Sequence, residues 1–385
     1  MKNIKKLIMS LVACLTVTAN VVGFAACQIP GGSTSQASEE ESSVAESSSV
    51  ETSEEESSFF SEEASEIEEE SSAPVEDEEI DFSTLGHTHV WVDGVCEDCA
   101  LELLKRDGKY IYFGEYPQTL KDKSIRVAEE ASENGYYIGE DGAYYAKVVA
   151  KPYTFEYTFT TGDAVVGGES YYFKVEPIRW IVLEENESEN TAKVLCDNVL
   201  MAMAYQHDFT YDKVKDIYYT TANGAPAGTY ANNYKYSAVR KWLNDTFYST
   251  AFDEMQQSLI QTMLVDNSAA TTTNVPNPYA CENTEDKVTL PSFADTINTA
   301  YGFRKYPMEE DLARTRKTSD YARALGAWMS TNGRLLGNGT FLLRSPHFDE
   351  SSHVMQGERS GKTNVSMKMD KTDTGVVPMI TIKLG

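Results

Sequence analysis

Two histidines and two cysteines fall within the stretch His87-Thr-His-Val-Trp-Val-Asp-Gly-Val-Cys-Glu-Asp-Cys99. Cys96 and Cys99 have the CxxC spacing that lets two thiolates grip one ion from a tight knuckle. His87 and His89 are two apart, so on an extended backbone both rings leave from the same side. Between the pairs, Asp93-Gly94 is a turn signal that folds the two arms together. Four nitrogen and sulfur donors suit tetrahedral Zn²⁺, and with so few other polar groups nearby the role expected for zinc is structural. The same two thiols can instead close a strained disulfide or stay free.

The stretch resembles the ribbon-like His-x-Trp…Cys-x-x-Cys segments beside domains of exported Gram-positive proteins. Those often begin Cys-x-His where this chain has His87-x-His89, which puts the weight of the comparison on Cys96 and Cys99. Of the remaining cysteines, Cys14 lies in the N-terminal apolar run, Cys196 in an apolar strand and Cys281 in a polar loop. Too few cysteines are present for a disulfide scaffold, so the fold must rest on a hydrophobic core.

Cys27 has a different chemistry. Lys2, Lys5 and Lys6 precede an apolar run from Leu7 to Ala26, and Phe24-Ala-Ala-Cys27 resembles the lipobox of bacterial lipoproteins. Phe24 stands where such a motif usually has Leu, so an ordinary cleaved signal peptide is the alternative. The resemblance implies a lipoprotein signal peptide over 1–26, lipidation at Cys27, and a protein held at the outer face of the cell membrane.

Elsewhere, residue sets that can be written down as catalytic lack their context. Ser345, His347, His353 and Asp349 invite a hydrolytic reading, yet no nucleophile elbow or oxyanion loop accompanies them. Arg344 reads as a fork holding a carboxylate or carbonyls. Glu176-Pro177 and Trp242-Leu-Asn-Asp245 lack the order that calcium-dependent sugar binding requires. A composition is more suggestive. Tyr205, Tyr211, Tyr218, Tyr219, Tyr230, Tyr234 and Tyr236 crowd one stretch with Asn223-Gly224 and Asn232-Asn233. Tyrosine with small polar residues gives broad contact at low entropy cost, which marks the first six as candidate ligand-binding residues for a glycan or protein. A long loop packing on its own domain is the competing account.

The charge distribution fixes the organisation around these residues. Net charge is −27, but residues 39–81 alone hold 19 Asp or Glu, and no Lys or Arg occurs between Lys6 and Lys105. From Lys105 onward 30 basic and 37 acidic residues leave −7. Residues 27–84 are therefore expected to be a disordered Ser/Glu-rich linker, too poor in apolar side chains to fold. Residues 85–104 form the zinc-ribbon-like segment, and 105–385 a globular domain. Nucleic acid is excluded as a partner by the lack of clustered cations.

Within the domain, Lys109-Tyr-Ile-Tyr-Phe-Gly114 reads as a strand closed by glycine. Tyr171–Leu183 reads as a strand broken at Pro177 and paired with Thr191–Cys196 as a hairpin. Val239, Trp242, Leu243 and Phe247 define a helical stripe, Asp253 can cap a second helix, and Ser292…Asp295 can cap a third leading through Ile297 and Tyr301. Strands return at Phe341–Arg344 and Val376–Leu384. The class is α+β, with terminal strands able to share a sheet.

Six of these stretches carry a wider resemblance: Tyr110-Ile-Tyr-Phe-Gly-Glu-Tyr-Pro-Gln-Thr, Val175-Glu-Pro-Ile-Arg-Trp, Val239-Arg-Lys-Trp-Leu-Asn-Asp, Asn283-Thr-Glu-Asp-Lys-Val-Thr-Leu-Pro-Ser, Leu343-Arg-Ser-Pro and Gly375-Val-Val-Pro-Met-Ile. In order, from Tyr110 to Leu384, they resemble an uncharacterised domain family of exported proteins of Gram-positive gut bacteria. Members commonly read Gly-Val-Arg-Pro where this chain has Val377. The resemblance implies a C-type-lectin-like fold, shared with formylglycine-generating enzymes, and a surface binding module. The alternative it implies is an extracytoplasmic enzyme on that fold, for which Cys196 and Cys281 are the thiols available.

Overall fold

A computed structural model describes residues 80–384, all within one compact unit. The expected signal peptide, Cys27 and nearly all of the acidic linker lie outside the described residues. Among the described residues no helix is long and apolar enough to cross a membrane.

The spine is β7 (Ser170–Asn186), the longest strand of a seven-stranded antiparallel sheet. One of its edges carries β4 (Tyr110–Leu120), which in turn carries β3 (Lys105–Asp107). Along the other edge lie first β6 (Tyr144–Val149), extended by β5 (Tyr137–Ile138), and then β8 (Thr191–Cys196). The C-terminal strand Met379–Lys383 pairs with β8, so both ends of the domain enter one sheet.

Pro177 does not break β7 as the sequence suggested. It sits opposite Glu115 of β4, in the gap between the last β6 pair at Lys174 and the first β8 pair at Trp180. A missing N–H costs no ladder bond where one edge has no partner. Gly114 likewise does not end its strand. It has φ +68° within an irregular stretch of β4, and an added Cβ would fall 2.3 Å from the Phe252 ring. Glycine is needed there for both the backbone and the close approach.

A second, five-stranded sheet joins Met201–Ala202, Gly375–Val376, Phe341–Pro346, His353–Gly357 and Val365–Lys368 in that order. The principal core includes the fully buried Trp180, Phe247, Tyr205 and Tyr234, and Trp180 Nε1 donates to Phe113 O at 2.8 Å. A smaller cluster gathers Tyr157, Phe159, Phe173 and Met329.

The helices are short. Ala238–Trp242 runs through a π-turn, Leu243–Phe247, into Tyr248–Ala251, and buries Val239, Leu243 and Phe247 as the stripe requires. Asp253 and Gln256 form a reciprocal capping box on Glu254–Leu259, as Ser292 and Asp295 do on Phe293–Thr296. The last of these helices stops four residues in, and Tyr301 belongs to a separate 3₁₀ turn, Thr299–Tyr301.

Candidate metal centre and adjoining cleft

Asp93 and Gly94 both have positive φ, 50° and 79°, and join β1 (Trp91–Val92) to β2 (Val95–Cys96) in a two-residue hairpin. Positive φ at both central residues matches the right-handed twist of the strands. After Cys99, Ala100 takes φ +57° and returns its N–H to Cys96 O, closing the knuckle. The donor atoms of His87, His89, Cys96 and Cys99 then lie within 4.8 Å of one another. His87 Nε2 is 3.6 Å from Cys96 Sγ, and His89 Nδ1 is 3.6 Å from Cys99 Sγ. Zinc bonds of about 2.3 Å to sulfur and about 2.0 Å to nitrogen, at tetrahedral angles, imply N···S edges of about 3.5 Å. The donor set fits that ion.

His89 turns its other nitrogen to Glu115 Oε2 at 3.0 Å. A carboxylate behind a ligating imidazole fixes its tautomer and orientation. Without metal, the Glu115 hydrogen bond outweighs desolvation and raises the His89 pKa to about 9. Burial pushes the Cys96 thiol up, but hydrogen bonds from the Cys99 backbone, the His89 side chain and the Asp98 and Val90 backbone together bring it down to about 6. A thiol drawn toward its thiolate is the form a metal takes.

The hairpin is docked, not a separate unit as the sequence suggested. Trp91 Nε1 donates to Asp253 Oδ2 at 2.6 Å, and its ring lies 5.0 Å from that of His89. Tyr144 Oη donates to His87 O at 3.2 Å. At Gly86 an added Cβ would come 2.7 Å from Ile138 Cδ1, so another residue there would require the Ile138 and Tyr144 side chains to shift.

Between the segment that follows the knuckle and the sheet lies a cleft of about 600 Å³. Leu101, Glu102 and Leu103 form one wall, Lys105 and Asp107 the rim, and Tyr112, Glu115, Gln118, Glu176 and Arg179 the floor, with Asn198 and Gln256 completing it. Gln118 donates to Glu176 O at 3.1 Å and Thr119 Oγ1 to Glu176 Oε1 at 2.6 Å, while Arg179 pairs with Asp197 at 2.5 Å. Sequence reasoning missed this site. Its floor is spelled out in the first two shared motifs, but only the pairing of β4 with β7 makes those residues neighbours.

The tyrosine-rich stretch divides. Tyr205 and Tyr234 are fully buried, the first donating to Arg344 O and the second sharing a hydrogen bond with Thr289, so neither can face a ligand. Composition does not report burial, so it cannot separate these two from the tyrosines nearer the surface. Tyr211 and Tyr218 stack at 4.5 Å on a hairpin, Phe209–Asp212 with Ile217–Thr220. Tyr219 stacks on Tyr230 at 6.0 Å, and Tyr230 meets Tyr279 edge-on at 4.7 Å. Of these hairpin and stacking tyrosines, Tyr211 alone is exposed; the rest, and Tyr236, are half-buried.

Other candidates resolve into structure. The Ser345 hydroxyl is buried, donates to Thr271 O and accepts from Phe293 N. His347 faces Asp349 at 2.7 Å, and His353 faces Glu350 and Ser352. Arg344 Nη1 holds Leu290 O at 2.7 Å and Asp295 Oδ2 at 2.8 Å, the fork expected of it. Cys196 and Cys281 are free thiols; burial pushes Cys196 up to about 12 and raises Cys281. Asn244 is occupied by the backbone of Arg240, Lys287 and Val288.

Residues 195–384 match a family model described as Domain of unknown function (DUF6273). The match is narrower than the motif span from Tyr110: the last four motifs fall inside it, while the His/Cys hairpin and most of the cleft floor precede it. No curated protein and no solved structure matches the chain.

Proposed function

We propose that this chain is a surface lipoprotein, anchored through Cys27, whose C-type-lectin-like domain carries a structural zinc at His87, His89, Cys96 and Cys99 and binds a glycan in the adjoining cleft. The observation that carries the glycan reading is the lining. Planar carboxylate, amide and guanidinium groups with one tyrosine face match the paired hydroxyls and apolar faces of sugar rings. Glu102, Asp107, Glu115 and Glu176 against Lys105 and Arg179 leave the site acidic, which favours neutral or amino sugars over anionic polymers. The anchor rests on Lys2, Lys5, Lys6 and Phe24–Cys27, and the lectin-like fold on the six ordered motifs.

The test is a glycan array probed with the full chain, followed by titration of any glycan retained. Glu176→Gln and Arg179→Ala should each weaken that binding at least about 10-fold, the scale of losing one charged hydrogen bond. Retention of no glycan, or binding indifferent to both changes, would end this reading. For the anchor, labelled palmitate should enter the wild type and not Cys27→Ala; an unlabelled wild type removes the lipoprotein assignment.

A further inference from the structure

None of the four candidate ligands lines the cleft, but three routes run from the knuckle and from His89 to residues that do. The first is covalent: Cys99 is followed by Leu101, Glu102 and Leu103, one wall of the cleft. Their path is set by the knuckle, through Cys96 N–H to Leu101 O at 2.8 Å and Leu103 N–H to Gly94 O at 2.8 Å. The second is the carboxylate of Glu115, which meets His89 at 3.0 Å and also lines the floor. The third runs from Trp91, packed on His89, to Asp253 Oδ2. The other oxygen of Asp253 accepts from the Gln256 N–H at 2.8 Å, and Gln256 Oε1 accepts from the Asp253 N–H at 3.1 Å. Gln256 is buried and completes the cleft.

From this convergence we infer that the metal centre is a positioning device for the cleft: zinc at His87, His89, Cys96 and Cys99 sets the wall, Glu115 and Gln256 in their binding arrangement. The inference rests on the zinc and cleft assignments above and adds a coupling between them. The hairpin has two residue pairs, and Val90, Val92 and Val95 are exposed, so it gains little from burial. A ribbon of that size is marginal alone. Metal binding supplies what burial does not, because its free energy is folding free energy for the segment that forms the site. Losing the metal removes the bonds that tie the knuckle to His89, where the routes begin, whereas the sheet core, which includes Trp180 and Val194, is built without them.

The experiment compares the full chain carrying one Zn²⁺ with the chain stripped by chelation, followed by hydrogen exchange. Stripping should speed exchange at least about 10-fold in residues 101–107, 112–118 and 254–259, and leave Thr191–Cys196 and Phe341–Pro346 unchanged. Two variants separate the routes. Glu115→Gln, still loaded with Zn²⁺, should loosen 112–118 but not 254–259; Trp91→Phe should do the reverse. Any glycan retained on the array should bind at least about 10-fold more weakly to the stripped chain. Unchanged exchange at the cleft after zinc loss overturns the coupling, and so does uniform acceleration across the domain, which would make zinc a global staple. A chain that takes up no Zn²⁺ overturns the metal assignment itself, a distinct result read by native mass spectrometry. Absence of a glycan leaves the exchange pattern, and the coupling, standing.

Discussion

Two hairpins leave the body of this domain, and they are held by opposite means. The one at 91–96 has two residue pairs, a two-residue turn, and valines left in solvent; side chains at its ends, His87, His89, Trp91 and Cys96, do the holding. The one at 209–220 has four residue pairs and a four-residue tip in which Val214 is 95% exposed. It is held to the domain by Tyr219 stacked on Tyr230 and by Tyr218 N–H to Ser351 Oγ at 2.8 Å. An isolated ribbon cannot stabilise itself in water. On the proposed zinc assignment the first draws its stability from metal ligation, whereas the second draws it from contacts that no ion supplies.

The sharpest way to break the comparison is Cys96→Ser. It should abolish stoichiometric Zn²⁺ uptake, at least about 100-fold in affinity, and loosen 87–103 while leaving 209–220 as it was. Mass spectrometry of the metal-loaded chain and exchange of the two hairpins check it; equal loosening of both would show that they are not independent.

Next in size is Tyr234→Ala, which removes a fully buried ring from the principal core. Truncating a core aromatic costs about 3–5 kcal/mol, so denaturant unfolding should shift by that amount. A loss below about 1 kcal/mol would mean that the ring is not core.

The pH response should differ in sign between the two metal states of the first hairpin. Metal-free, the imidazolium of His89 has its pKa raised from 6.5 to about 9 by Glu115. Its contribution is complete below 6.5 and is lost as pH rises through about 9. Zinc-loaded, protons compete with the ion for sulfur and nitrogen, so acid releases the hairpin. Fluorescence of Trp91, read as the difference from Trp91→Phe, should therefore move at alkaline pH in the stripped chain and at acid pH in the loaded one. The same direction in both would contradict the ligand assignment.

The smallest effect belongs to Tyr211→Ala. Its ring is exposed and its hydroxyl reaches only Asp216, at 2.7 Å, so stability should change by no more than about 0.5 kcal/mol. A larger loss by thermal unfolding would make the Tyr211–Tyr218 stack structural.

What the sequence alone determined is what depends on near neighbours along the chain. The knuckle at Cys96 and Cys99, the turn at Asp93-Gly94, the caps at Asp253 and Ser292 and the stripe Val239–Phe247 are set by spacing and local geometry, and each is present. Sequence could not separate Tyr205 and Tyr234 from Tyr211, because the three differ in what covers them, not in type or spacing. Nor could it show that Pro177 lies in a gap between β6 and β8, where the lost donor is harmless. The cleft was hidden for the same reason. Glu115 and Glu176 are 61 positions apart, and only the antiparallel pairing of β4 with β7 brings them to one floor. Local chemistry was legible because short-range geometry has few solutions. The cleft was not, because tertiary pairing decides which distant side chains meet.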